Sequence, residues 1–273
     1  MIGGLGKGEN IMQTTIIEAI DVHGHIGAYR DEHASRLIRC FMSGNADTVI
    51  HRARAAHVRL TLVSPMEGFF EGGDPIAANR RLAASIGRTK ALRQWVIVDP
   101  TRPETYEQAK RLLRLPTSVG IKIHPELHHY PIAKHGRKIF EFAESENAIV
   151  QSHSGEQNSL PADFVPFANN FPTVRIVLSH LGCGFDQDMR HQVRAIQACR
   201  RGNLFTDTSS AKSITANLIE WAVGEIGDDR IMFGTDTPLY FAPMQRARID
   251  YAEISAAAKR KILRENAERL FGL

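Results

Sequence analysis

Two histidines separated by one residue, His23 and His25, end an early apolar run in the segment Asp21-Val22-His23-Gly24-His25. Ile16 to Val22 reads as a buried strand. Side chains alternate along a strand, so both imidazoles project from one side. Such a pair offers two nitrogen ligands to a divalent metal. Taken alone it fits two ordinary loop histidines equally well. The pattern returns, however: His124, His153, His180 and Asp236 each end a later apolar run.

Those runs are the elements that must position the chemistry. They cover Ile16 to Val22, Arg59 to Ser64, Gln94 to Asp99, Val119 to His124, Ala148 to His153, Arg175 to His180, Leu204 to Thr208 and Ile231 to Asp236. Helix-type segments alternate with them. Asp74-Pro75 sets a capping oxygen before a proline at the first helical position, followed by Ile76 to Ile86. Pro103 to Leu113, Ile132 to Glu144, Asp188 to Arg200 and Ile214 to Val223 also read as helices. Parallel strands need crossovers, usually helices, and eight strand–helix units favour closure into a (β/α)8 TIM barrel. An open doubly wound sheet is the alternative, but its glycine-rich nucleotide loop is missing. The α/β barrel is expected as a single domain over residues 15–273, after a loose glycine-rich tail over 1–14. Barrel active sites lie at the C-terminal ends of the strands, where these histidines and Asp236 fall.

Composition sets the outer bounds. The 273 residues are 43% hydrophobic and 23% charged, which excludes wholesale disorder. The net charge of +4 comes without a long basic run or a nucleic-acid module, so no nucleic-acid partner is expected. No apolar run approaches the ~18 residues of a membrane span. Three cysteines, Cys40, Cys183 and Cys199, have no paired or zinc-type spacing, which fits a reduced, cytoplasmic protein. Cys183 follows His180 closely but has no evident activating base and reads as a bystander thiol.

Taken together, the motifs resemble the amidohydrolase superfamily of metal-dependent barrel enzymes. They are most similar to its amidohydrolase-related branch, which includes the aminocarboxymuconate-semialdehyde decarboxylase-like enzymes. The resemblance rests on Asp21 to His25, Gly120-Ile121-Lys122-Ile123-His124-Pro125, Ser152-His153-Ser154-Gly155, Ser179-His180-Leu181-Gly182, Phe233 to Pro238, and the closing Glu265 to Leu273, in that order. It implies that His23, His25, His153 and Asp236 bind a metal. His180 would bind a second ion or act on substrate beside the first. Asp236 would take a proton from the activated water and return it to the leaving group. A divalent ion can lower the pKa of water from about 15.7 to about 7, and an adjacent carboxylate can shuttle the proton.

Lys122 resembles the carboxylated lysine that bridges two ions in dihydroorotase-like members. It equally suits a lysine paired with a carboxylate or an anionic substrate. His124 is expected behind the ligands or facing substrate, and His128 and His129 in the following loop. Asp207 reads as structural, and Tyr240 and Phe241 as pocket lining. The aromatic, glycine-rich stretch from Ser64 to Asp74 suits either a lid or a packed loop. Many decarboxylase-like members carry His-x-Glu in the first strand where this chain has His-x-His. The first expectation is therefore a hydrolase acting on a C–N or C–O bond of a small carbonyl substrate: an amide, cyclic amide, lactone or ester. The alternative is a metal-dependent, non-oxidative decarboxylase of a small unsaturated or aromatic acid. The expected cofactor is Zn2+, with Mn2+, Fe2+ or Ni2+ as alternatives, one or two ions per chain. The partner is a small-molecule substrate, with homo-oligomerisation left open.

Overall fold

The computed structural model describes residues 16–87 and 89–273. The tail expected over 1–14 lies outside the described residues. Eight parallel strands run in the order β1 to β8: Ala19–Ile26, Val58–Pro65, Leu92–Ile97, Ser118–Ile123, Val150–Ser152, Ile176–Leu178, Leu204–Asp207 and Ile231–Met232. Each pairs with the next. This is the single (β/α)8 TIM barrel expected from the alternation.

The barrel closes just beyond β8. Val22 N–H donates to Phe233 O (2.9 Å), Asp236 N–H to His23 O (2.8 Å) and His25 N–H to Thr237 O (2.6 Å). The Asp21 carboxylate adds a side-chain clasp, accepting from Thr235 N (3.0 Å), Thr235 Oγ1 (2.6 Å) and His23 N (3.1 Å). β8 is thus only two residues long, shorter than expected, because the chain leaves the β7 ladder at Phe233 to bond across to β1.

Two apolar layers hold the frame. Inside, Ile20, Val22, Leu60, Leu62, Trp95, Ile149, Val177, Phe205 and Met232 fill the barrel, with Ala267 and Leu270 of the last helix packed against them. Outside, alternate strand residues such as Ile121, Ile123, Val150 and Ile176 pack against helices through Ile139, Phe140, Phe164 and Ile196. Burying such side chains contributes roughly 1.5–3 kcal/mol each.

The helix Pro75–Ile86 begins as expected, with Asp74 Oδ1 accepting from Ile76 N at 3.0 Å and Pro75 in its first turn. The stretch expected to be helical from Ile214 starts only at Leu218, because Asn217 adopts a left-handed conformation (φ 66°) that separates it from a short 3-10 turn at Ala211–Ile214. The helix expected from Asp188 starts at His191, because Asp188 is spent capping Arg190. The helix Ala46–Ala55 takes in the arginine-bearing stretch Arg52 to Arg54, which reads as helical, whereas the short helix Arg36–Phe41 has no counterpart among the sequence expectations.

Candidate active site

β1 carries a bulge between Asp21 and Gly24. Ile20, before it, and Val22, within it, pack into the barrel interior. After it, His25 stands opposite Ser64 on β2, with Ser64 Oγ 2.8 Å from His25 Nδ1. The extra residue re-aims the strand end, so an apolar plug and two imidazoles can share one side. At the closing seam, Asp236 comes within reach: its Oδ1 lies 2.9 Å from His25 Nε2 and 3.4 Å from His23 Nε2. All three residues are buried.

These three atoms fit a divalent metal. Asp236 Oδ1 is buried without a hydrogen-bond partner, although two ring nitrogens face it. Burial pushes His25 down to about 4 against the pull of Asp236, so its ring is neutral near pH 7 and a lone pair is free. Burial opposes ionisation of Asp236, yet His23 and His25 hold its carboxyl well below the ordinary carboxylate range. Imidazole nitrogens and a carboxylate suit zinc, manganese or iron alike. A second group of close donor atoms joins His23, His180 and Asp207.

The other expected residues line the same mouth. His180 Nε2 is 3.0 Å from His153 Nδ1, and His153 Nε2 is 3.2 Å from Glu156 Oε1. The two rings face each other through these nitrogens, and the His180 ring also lies 4.8 Å from that of His23. Lys122, 1% exposed, donates to His23 Nε2 (3.1 Å), Gln151 Oε1 (3.2 Å) and Ser179 Oγ (3.3 Å). Burial lowers Lys122 to about 8, opposed by Asp207 and Asp236. His124 stacks on His153, with centroids 4.2 Å apart and planes at 10°.

All of these side chains open onto a cavity of about 580 Å³, also lined by Tyr29, Phe69, Phe70 and Tyr240. Phe241, expected beside Tyr240, is instead 65% exposed, because the chain turns outward into the helix Ala242–Asp250. The stretch after β2 is a packed wall: Phe69 is buried against His25, His124 and His128, and His128 Nε2 donates to Gly68 O at 3.0 Å. His129 does line the cavity. Cys183 also reaches it, but burial pushes its thiol up to about 11, which disfavours a nucleophile.

Asp207, left to the scaffold by the sequence, is fully buried and touches the site directly. Its Oδ2 accepts from His23 Nδ1 (3.1 Å) and Gln151 Nε2 (3.2 Å), and its Oδ1 from His180 N (3.2 Å). Ser209, two residues on, was not singled out. The signal available was the position of Asp207-Thr208-Ser209 at a strand end, the same criterion that selected the histidines.

A parallel barrel with imidazole and carboxylate donors converging at the C-terminal mouth defines a class of metal-dependent barrel proteins. A family model described as amidohydrolase matches residues 20–273, and the chain belongs to that family. The fold is similar to that of 5-carboxyvanillate decarboxylase from Sphingomonas paucimobilis, at 15% identity over 94% of this chain and 100% of that one (TM-score 0.76). It is similar to a dihydroxybenzoic acid decarboxylase from Polaromonas sp. JS666 with bound manganese, at 17% identity over 94% and 98% (TM-score 0.72). It also resembles a probable 2-pyrone-4,6-dicarboxylic acid hydrolase from Acinetobacter baumannii, at 16% identity over 94% and 100% (TM-score 0.66). Among the described residues no helix is long and apolar enough to cross a membrane.

Proposed function

We propose that this chain is a metal-dependent, non-oxidative decarboxylase of a small aromatic or unsaturated carboxylic acid. The observation that carries the reading is the Lys122 ammonium at the floor of an aromatic-walled cavity. None of its three hydrogen-bond partners is a carboxylate, and Tyr29, Phe69, Phe70 and Tyr240 line the space above it. A planar acid fits such a slot, its carboxylate against the lysine. The decarboxylases among the fold's neighbours support the same choice over the hydrolase first expected from His-x-His.

His23, His25 and Asp236 would hold one divalent ion, manganese or zinc, with His153 and His180 beside it. When bound, the ion supplies Lewis-acid pull on a substrate oxygen. Lys122 pairs with the carboxylate and orients it. Asp236, held ionised, accepts a proton from a substrate hydroxyl or from solvent and delivers it to the carbon bearing the carboxylate. The C–C bond then breaks, CO2 leaves, and the bonding pair returns to the substrate π system. One proton is consumed for each CO2 released. The three free thiols suit the reducing cytoplasm.

Hydrolysis is the second reading, favoured by one observation: an ionised Asp236 with an unpartnered oxygen is poised as a base. The test is a panel of hydroxybenzoates, unsaturated acids, lactones and cyclic amides, assayed for CO2 and for newly formed acid. CO2 from an aromatic or unsaturated acid supports decarboxylation. Acid released from a lactone or amide without CO2 overturns it in favour of hydrolysis.

A further inference from the structure

Ser209 sits two residues past the end of β7 and is fully buried. Its Oγ lies 3.0 Å from His23 Nδ1 and 2.8 Å from His180 Nδ1, and it contacts Asp207 Oδ1. One hydroxyl therefore meets two imidazoles, from β1 and from the end of β6, and a carboxylate.

Counting hydrogens decides who donates. An ionised carboxylate only accepts, whereas a hydroxyl has one hydrogen and two lone pairs. Asp207 is surrounded by donors: its Oδ1 faces His180 N (3.2 Å) and Ser209 N (3.1 Å), and its Oδ2 faces Gln151 Nε2 (3.2 Å) and His23 Nδ1 (3.1 Å), so both oxygens act as acceptors. The hydroxyl hydrogen must go to Asp207, since otherwise two acceptors would be in contact. That leaves two lone pairs on Ser209, faced by two ring nitrogens, and each nitrogen must bring its own hydrogen. His23 provides a further check at the same nitrogen. Its Nδ1 also faces Asp207 Oδ2 at 3.1 Å, so the ring hydrogen is on Nδ1 and is shared between Ser209 and Asp207.

We propose that Ser209, anchored by Asp207, is a positioning residue that fixes the tautomer of His180 and, together with Asp207 Oδ2, that of His23. Both rings carry hydrogen on Nδ1 and turn the Nε2 lone pair away from Ser209, toward Asp236 and Lys122 in His23 and toward His153 in His180. Orienting groups behind a ligand usually act on one histidine at a time. Here a single hydroxyl serves both, so its loss disturbs two strands of the site at once. This holds for decarboxylation and hydrolysis alike, since it concerns the rings rather than the reaction.

The test is nitrogen-15 NMR of histidine-labelled, full-length protein loaded with diamagnetic Zn2+, together with Zn2+ and Mn2+ titrations. The wild type should show hydrogen on Nδ1 of both His23 and His180. Ser209→Ala removes the acceptor from His180, so its ring should become a mixture of tautomers, and metal affinity should fall about tenfold or more. Ser209→Thr keeps the hydroxyl and should restore both. Ser209→Cys, close in size but a poor acceptor, should move both readouts in the direction of alanine and serves if the alanine variant does not fold. Hydrogen on Nε2 of His180 in the wild type would overturn the proposal. So would Ala or Cys variants that lose thermal stability yet keep the tautomers and metal affinity of the wild type.

Discussion

His180 and Asp236 share a backbone conformation uncommon outside glycine: both lie in the left-handed region, at φ 73° and 58°. Each ends a strand-side run, and the left-handed step turns its side chain into the mouth instead of continuing the pleat. Such conformations cost of order 1–3 kcal/mol and persist where the surroundings enforce them. Here the enforcing contacts are Asp236 N–H to His23 O and His180 N–H to Asp207 Oδ1.

Asparagine tolerates the left-handed region, so Asp236→Asn should fold. It keeps an oxygen for the metal but cannot accept a proton near neutral pH. We expect kcat to fall by about a hundredfold or more, the usual size of a general acid–base contribution. The measurement is kcat at verified full metal occupancy. A rate restored by saturating metal would reduce Asp236 to a ligand alone.

His180→Asn should alter the pH–rate profile and lower kcat/KM even at full metal loading. The ring sits between Ser209 and His153, and asparagine cannot reach both. An unchanged kcat/KM across pH 5–9 would remove His180 from the chemistry.

Lys122→Met should raise KM about tenfold or more while metal per chain stays at one. The lysine is read as the anchor of the substrate carboxylate, and charge-assisted hydrogen bonds contribute roughly 1.5–3 kcal/mol. Metal falling from two ions per chain to one would instead identify Lys122 as a carboxylated bridge. Metal analysis and saturation kinetics on one preparation separate the two.

Acid stability should depend on Glu220, remote from the site. Arg248 holds its carboxylate in a two-pronged pair and Glu253 N–H adds a bond at 2.9 Å, lowering it from 4.5 to about 2. A depressed pKa gives stability that is complete above pH 4.5 and is lost as pH falls toward 2, because the unfolded chain binds the proton first. Glu220→Gln should be less stable than wild type near pH 6, and the gap should close by pH 2. Urea midpoints across that range measure it.

Gly120→Ala should destabilise the barrel by about 1–3 kcal/mol, the usual range for overpacking. A Cβ there would sit 2.4 Å from Ile149 O and 2.7 Å from the Trp95 ring. The carbonyl belongs to the neighbouring chain segment, so the strain falls on the β4–β5 edge that holds Lys122. Thermal unfolding would register it, and an unchanged Tm would contradict the close approach.

The sequence made the barrel legible because apolar runs recur with ligand-type residues at one end. His23, His25, Lys122, His153, His180 and Asp236 do line one cavity. The β1 bulge was invisible, since Asp21 to His25 alternates no differently from a regular strand and only the register with β2 reveals the extra residue. Asp207 reads as structural, and Ser209 does not stand out, because carboxylates and hydroxyls at strand ends are common and their reach to His23 spans 184 and 186 residues. The helix Arg36–Phe41 buries no residue, so no apolar stripe announced it. Asn45, which caps Ala46–Ala55 through Thr48 N at 2.9 Å, was a readable signal that went unused.

The seam where Asp21 clasps Thr235 has a consequence for how the molecule is made. The two residues are 214 positions apart, and His23 and Asp236 lie directly across that join. Closing so long a loop is entropically late in a folding reaction, after neighbouring strand–helix units have formed. The donor group therefore does not exist in any chain lacking its last strand, whether nascent on a ribosome or cut by a protease. A metal that binds only the closed form acts as a latch on completion, raising stability by mass action once the final strand is home. The moment of metal uptake then marks the end of folding, and a refolding experiment that follows it would time the last step directly.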